Sequence, residues 1–355
     1  MNAYQIFKFP AEPCTRNCMT EEYIEKVLDY YGIPAKVVKH VLAPQIDVYH
    51  VDAEDPAAVT QLKKPIAALN AVSHRFCRQA RSPIAHFAIE VDAETRKTVY
   101  TGECLYGVQA SPRGLVSVLG EDTNGDTLTV DIAEMPHILI AGATGSGKSV
   151  CLNTILSTLI YLYPDPARLQ LILIDPKRVE LAPFAGLPHL RAPVAETPTD
   201  AVRRLAGLCR YMDDRYEQMS HRGIKNATEA GWAPMVVVID ELADLMLTSR
   251  YEAEEHIIRL AQKGRAAGIH LIIATQRPTA NVITGLIKSN IPCKIAMKTA
   301  SIRDSINILD HKGAETLTGK GDALLKLPDR VDEIRFQCAY TSEGDVESLC
   351  RAVKR

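Results

Sequence analysis

Residues 142–149 read GATGSGKS and sit between an unbroken apolar run, HILIA (137–141), and the helix-patterned segment that opens KSVCLNTIL. The segment fits G-x-x-x-x-G-K-[ST] at every fixed position. The chemistry needs this order: glycines let backbone N–H groups wrap an anion, and the helix N-terminus adds positive potential. The loop Gly142, Ala143, Thr144, Gly145, Ser146, Gly147, Lys148 and Ser149 is therefore the candidate phosphate cradle of a nucleoside triphosphate. Lys148 is expected to reach the β- and γ-phosphates, and Ser149 to ligate Mg²⁺. A strand–loop–helix unit of this kind restricts the chain to an α/β fold whose strands end at the site.

The rhythm after residue 130 agrees. LQLILID (169–175), MVVVID (235–240), HLIIAT (270–275) and CKIAM (293–297) are short apolar runs bounded by turn or charged residues, as strands buried on both faces read. Between them Val202, Leu205, Leu208, Cys209, Met212, Tyr216 and Met219 recur at helical spacing. A mostly parallel sheet flanked by helices follows. Asp240 ends one strand, where a carboxylate stands beside a magnesium ion, and Glu241 is placed to polarise an attacking water. Gln276 ends another strand and is the candidate γ-phosphate sensor. Asp175 and Lys177, in IDPKR, also end a strand; they either support the site or form an Asp-Pro turn.

The first third reads as a smaller α+β unit. Residues 1–20 form a loosely ordered leader; TEEYIEKVLDYYGI starts a helix, QIDVYHV alternates as a strand, and PAAVTQLKKPIAALNAVSHRF is helical with Pro65 breaking or kinking it. SPIAHFAIEV and RKTVYTGEC read as strands. The expected domains are residues 21–115 and 116–355. With 46% apolar residues and no run of roughly 18 of them, a membrane span is not expected. The N-terminus lacks signal-peptide pattern. Cys14 and Cys18 form a lone CxxxC, short of the four ligands of a zinc site, and the other cysteines fall mostly in apolar runs, so a reducing cytoplasm is the plain expectation.

Formal net charge is −2, so any polyanion surface must be local. From His256 through Arg303 the chain carries eight Lys or Arg and no Asp or Glu: Arg259, Lys263, Arg265, Arg277, Lys288, Lys294, Lys298 and Arg303. Few aromatics are interleaved, which favours tracking of a duplex backbone over base stacking.

MPHILIAGATGSGKSVCLN, LILIDPKRVEL, VVVIDELADLM, RLAQKGRAAGIHLIIATQRP and VITGLIKSNIPCKIAMKTAS resemble the FtsK/SpoIIIE family of DNA translocases, with likeness running from about residue 21 to 340. The resemblance implies a RecA-like P-loop domain preceded by a small α+β domain. It further implies ATP and Mg²⁺ as cofactors, and a homo-hexameric ring hydrolysing ATP at subunit interfaces to pull double-stranded DNA through a pore. By it Arg265, in KGRAAGIH, resembles the arginine that reaches a neighbour's ATP, with Arg215 as second candidate. Arg277, Lys288, Lys298 and Arg303 take the place of DNA-contacting residues. Ile302 and Ile306, however, stand where relatives tend to carry basic residues. The expected location is cytoplasmic, with room for recruitment to the membrane by a partner. The rival reading is a ring ATPase of a conjugation or secretion system that couples or moves a protein or protein–DNA substrate; a non-hydrolysing scaffold conflicts with the set Lys148, Asp240 and Glu241.

Overall fold

The structure, a computed structural model, describes residues 20–73, 77–93, 96–330 and 332–354. Cys14, Cys18 and nearly all of the expected leader lie outside the described residues. Packing divides the chain into two compact units: one holds the described residues before Tyr100 with Glu121–Thr127, and the other holds Tyr100–Gly120 and Leu128 onward. The expected boundary stood near residue 115; residues 100–115 pack with the larger unit.

In the smaller unit, α1 (Glu21–Tyr30) and α2 (Lys63–Ser73) cover an antiparallel sheet of order β1-β2-β4-β3, formed by Ala35–Leu42, Ile46–Ala53, Cys77–Ala80 and Phe87–Asp92. The alternation read in QIDVYHV sends Tyr49 and Val51 into the cluster with Ile24, Leu28 and Leu69, and Ile46 and Val48 into a second cluster. The break expected at Pro65 falls just ahead of it, at Leu62, between two helical pieces. A 3₁₀ turn, Pro56–Gln61, precedes α2, and Pro65 falls in the first turn of α2, where its missing N–H costs nothing. Two strand expectations are corrected. Residues 82–86 form a turn in which Ser82 Oγ accepts from the Ile84 and Ala85 amides, and Thr101–Cys104 is a helical turn, α3, with the Glu103 carboxylate accepting from the Tyr100 amide. Local side-chain capping overrides strand propensity there.

The larger unit is built on a nine-stranded sheet of order β6-β5-β13-β12-β11-β7-β10-β9-β8. β5 (Val116–Asp122) and β6 (Thr127–Asp131) are followed by β7 (His137–Ala141), α4 (Lys148–Leu162) and β8 (Gln170–Ile174). Next come α5 (Pro198–Arg222), the short α6 (Ala227–Ala230), β9 (Met235–Ile239), α7 (Leu242–Thr248), α8 (Arg250–Lys263) and β10 (Ile269–Thr275). The chain closes with α9 (Gly285–Asn290), β11 (Cys293–Met297), α10 (Ile302–Leu309), β12 (Asp322–Lys326), β13 (Ile334–Cys338) and α11 (Glu343–Val353). Strands β8, β9, β10, β7 and β11 run parallel, and β12 and β13 return antiparallel. The five parallel strands are those expected from the apolar runs, and apart from Gln170 their residues are buried, as for strands covered on both faces. Helix α5 buries Leu205, Leu208, Cys209, Met212 and Met219 along one stripe; Thr197 caps its start and Gly223, at φ 65°, its end.

Parallel register sets Leu271 opposite His137, and the Leu271 amide donates to His137 Nδ1 at 3.1 Å. His270, the preceding residue, is buried as well. Burial first, and for His137 the neighbouring His270, push His137 down to about 3; burial and the Arg265 charge push His270 down to about 4. Unfolded, both rings take up a proton near pH 6.5, so their contribution to stability is full above that pH and is lost as pH falls toward about 4. Urea midpoints are expected to drop between about pH 7.5 and about pH 5. His137→Asn, which keeps an acceptor without a titrating ring, is expected to shrink that drop; an undiminished drop would remove this pair as its source.

Candidate nucleotide site

The C-terminal ends of β7, β8, β9 and β10 lie side by side at one edge of the sheet, and each delivers a polar group. From β7 the chain enters the loop 142–149. Its walls require glycine: a Cβ on Gly147, at φ 109°, would stand 2.5 Å from the Gly321 amide nitrogen, and one on Gly142 would stand 2.7 Å from Ser146 Oγ. The Gly142 amide donates to the Thr275 carbonyl at 3.3 Å and the Ala143 amide to the Lys298 carbonyl at 2.8 Å, which locks the loop to β10 and the end of β11. Helix α4 starts at Lys148, so the free amides of its first turn face the loop's hollow. Ser146 Oγ is buried there without a partner. A backbone cradle that excludes a Cβ and holds an unsatisfied hydroxyl fits a phosphate group.

Lys148, 3% exposed, donates to Asp240 Oδ1 at 2.7 Å and to the Asp240 carbonyl at 2.9 Å. Burial pushes the Asp240 carboxyl up, Lys148 pulls it down, and nearby Asp175 and Glu180 push it up again. Glu241 is 1% exposed and caps α7: its carboxylate accepts from the Ala243 amide at 3.2 Å, Thr275 Oγ at 2.6 Å and the Gln276 amide at 3.1 Å. Lys177 Nζ stands 3.4 Å from its Oε2. Gln276 Oε1 accepts from Thr144 Oγ at 3.0 Å, which joins the end of β10 to the phosphate loop.

Asp175 resolves as a turn-former. Its buried carboxylate accepts from the amides of Lys177 at 3.2 Å, Arg178 at 3.0 Å and Leu181 at 3.0 Å. That turn aims two side chains at the site: Lys177 toward Glu241, and Glu180, whose Oε1 accepts from Ser149 Oγ. Glu180 and Thr275 went unread in the sequence because neither ends a strand in a charged residue. Among the described residues no three acidic, His or Cys side chains form a metal cage. A magnesium ion shared with phosphates needs only one or two protein oxygens, and Ser149 and Asp240 would be the residues to hold it.

The basic residues separate into groups. Arg259 pairs with Asp213 at 2.7 Å, Lys288 with Asp310 at 2.6 Å and Lys294 with Asp310 at 3.5 Å, so a stretch without acids in sequence is not without them in space. Lys288 also donates to the Ile306 carbonyl at 2.9 Å, tying α9 to α10. Arg277, Lys298 and Arg303 are exposed at the end of the sheet that carries the loop. Asn307 Nδ2 donates to the Pro278 carbonyl at 2.9 Å, which holds α10 against the Arg277 segment. Ile302 and Ile306 are 53% and 45% exposed on α10. Arg265 is exposed before the start of β10, at the opposite edge of the sheet from the loop. The second candidate, Arg215, is 4% exposed; it donates to the Ala267 and Ala233 carbonyls and lies against the rings of Tyr211 and Trp232. Its guanidinium is committed to its own fold.

A parallel sheet with a phosphate loop after one strand, Asp-Glu after a second and Gln after a third defines a RecA-like P-loop nucleotide-binding domain. The FtsK/SpoIIIE family model matches residues 108–233 and 229–280, and the chain belongs to that family. It is 37% identical over 369 residues to a DNA translocase FtsK of Leptospira interrogans, covering 99% of this chain and 38% of that protein. It is 39% identical over 346 residues to a DNA translocase FtsK of Caldanaerobacter subterraneus, covering 93% of this chain and 48% of that protein. The chain thus spans less than half the length of these curated relatives. Among solved structures, the pCW3 conjugation coupling protein TcpA in a monomer form with ATPγS is similar at TM-score 0.63 and 25% identity, covering 91% of this chain and 95% of that one. The cytoplasmic domain of the type VII secretion ATPase EccC of Thermomonospora curvata is similar at TM-score 0.62 and 25% identity, covering 70% of this chain and 32% of that one. Among the described residues no helix is long and apolar enough to cross a membrane.

Proposed function

We propose that this chain is an ATP-hydrolysing motor that moves double-stranded DNA, working as a homo-hexameric ring in the cytoplasm. The observation that carries the reading is the convergence of Lys148, Asp240, Glu241 and Gln276 on one glycine-walled loop. In it the loop amides and Lys148 bind the β- and γ-phosphates, and Ser149 and Asp240 hold magnesium, which neutralises phosphate charge when bound. Glu241, anchored by Thr275 and the Gln276 amide, orients the attacking water and accepts its proton. Gln276 reads the γ-phosphate through the loop it already touches at Thr144. Arg277 follows Gln276 directly, so a change at the phosphate reaches a DNA-facing cation within one residue.

Arg265 supports the ring. β10 alone spans seven residues between it and the site's edge, roughly 20 Å at strand rise, so its guanidinium serves another subunit's phosphates and not its own. Arg277, Lys298 and Arg303, exposed and paired with no acid among the described residues, supply phosphate contacts to DNA, with Lys288 released from Asp310 as a further one.

Binding to duplex is expected to be indifferent to sequence and to weaken with salt at a log–log slope of about −0.9 per phosphate neutralised. Arg277→Ala and Arg303→Ala are each expected to reduce the slope by about one unit, while Lys288→Ala reduces it by less because Asp310 already holds that cation. The measurement is ATPase stimulation by linear duplex and by single-stranded DNA across a salt series. Equal stimulation by every nucleic acid, or none by any, promotes the protein-coupling reading, which the likeness to the TcpA and EccC structures keeps in contention.

A further inference from the structure

A cavity of about 360 Å³ opens beside β8, the last strand in the order of the nine-stranded sheet. Residues 189–195 run along β8 there, with bridges Leu171–Leu190 and Ile174–Ala195, and α5 packs alongside. The cavity shares no lining residue with the phosphate loop, with the Arg277, Lys298 and Arg303 group, or with the face that carries Arg265.

Its buried lining is apolar and its accessible lining is cationic. Ile172, Leu208 and Met235 supply the first, and Arg191, Arg203 and Arg204 the second. This size, and a mostly apolar wall with a few polar groups, are those of a binding pocket. The one acid that lines it, Asp200, is already taken by Arg203 at 3.0 Å. Arg204 donates to the Pro193 carbonyl at 2.9 Å and Arg191 lies over the Tyr211 ring; neither pairs with a carboxylate among the described residues. Arg210 is exposed and equally without an acid there. It follows Arg203 by two helical turns on the same face of α5, about 10 Å further along. Positive charge therefore continues past the cavity.

Gly207 marks the same place. A glycine inside a helix is destabilising relative to alanine. Nothing in the fold calls for one here: an added Cβ would meet only Arg210 Nη2, at 3.9 Å. What the missing side chain leaves open is the cavity that Gly207 lines.

A group that fills this lining is apolar, because a hydrated phosphate gains nothing from Ile172, Leu208 and Met235. A partner that answers the arginines is anionic and longer than the cavity. An acidic polypeptide segment with one large aliphatic or aromatic side chain meets both demands, as apolar anchors ringed by charge do at protein interfaces. We infer that this cavity is the docking site for such a segment of a partner protein. The apolar side chain enters in front of Gly207, and its acidic neighbours pair with Arg191, Arg204 and Arg210. Docking there requires nothing of the nucleotide loop.

The test is a random-peptide display selection on the full chain, followed by fluorescence anisotropy with the enriched peptide. Peptides that join acids to a large apolar residue are expected, with affinity falling as salt rises. Gly207→Trp, which occupies the cavity, is expected to weaken binding by about tenfold or more, and so is the double reversal Arg191→Glu with Arg210→Glu. Gly207→Ala is expected to keep binding and to raise the thermal midpoint. If Gly207→Trp fails to fold, the reversal at two exposed positions still decides. No enriched peptide, peptides without acids, or indifference to either folded variant overturns the proposal. Two further results overturn it as well. Weakened duplex-DNA binding in the charge reversal gives these arginines to DNA, and a changed sedimentation coefficient in Gly207→Trp puts a second copy of the chain on this face.

Discussion

Lys148→Ala is expected to reduce ATP turnover to background and to abolish tight nucleotide binding. The ammonium is 3% exposed inside the site, and Lys177 beside it faces Glu241 and Asp244. The same substitution leaves Asp240 buried beside Asp175 and Glu180 without its compensating charge. Burial already pushes that carboxyl up, so it takes up a proton instead of unfolding the chain, and circular dichroism should show a folded protein that binds no fluorescent nucleotide. Glu241→Gln separates the two functions. It keeps acceptor capacity at Oε1 for Thr275 and the Gln276 amide but removes the proton acceptor, so binding persists while turnover falls by about 10²–10⁴. Retention of most turnover in Glu241→Gln would assign the base elsewhere.

Arg265→Ala is expected to cost about 10³–10⁵ in turnover, as loss of a charge placed on the transferring phosphoryl group does. Because Arg265 and the phosphate loop sit at opposite edges of one sheet, the loss should be repairable between subunits. Mixed with Lys148→Ala chains, Arg265→Ala chains should recover part of the activity at interfaces where one partner supplies the loop and the other the arginine. No recovery at any ratio, with mixing shown by cross-linking, would rule Arg265 out as the trans residue. Arg215→Ala behaves differently by its geometry. It strips two carbonyls and two aromatic faces of their cation, so its first effect is on the melting temperature. Mixing cannot restore it.

Much of the site was legible before any coordinates, for a physical reason. A phosphate loop needs glycines at set spacings, a lysine and a hydroxyl in one unbroken segment, so the whole cradle is written in eight consecutive letters. The parallel strands were equally plain, because burial on both faces erases alternation and leaves the apolar runs ending at Asp175, Asp240 and Gln276. Short capped segments read less well. Thr101–Cys104 has strand composition and is a helical turn because the Glu103 carboxylate meets the Tyr100 amide, an interaction decided over three residues.

What sequence determined by itself was therefore the local and contiguous: the loop, the strands, the Asp-Glu pair and the family. Tertiary structure alone decided which distant groups share a space. Ser149 meets Glu180 across 31 positions, Thr144 meets Gln276 across 132, and Asp310 neutralises a lysine whose own neighbours in sequence carry no acid. It also separated Arg265 from Arg277, twelve residues apart in the chain and at opposite ends of one strand. Charge acts through distance in space, and a strand that carries the chain across the whole domain converts a short separation in sequence into a long one between charges.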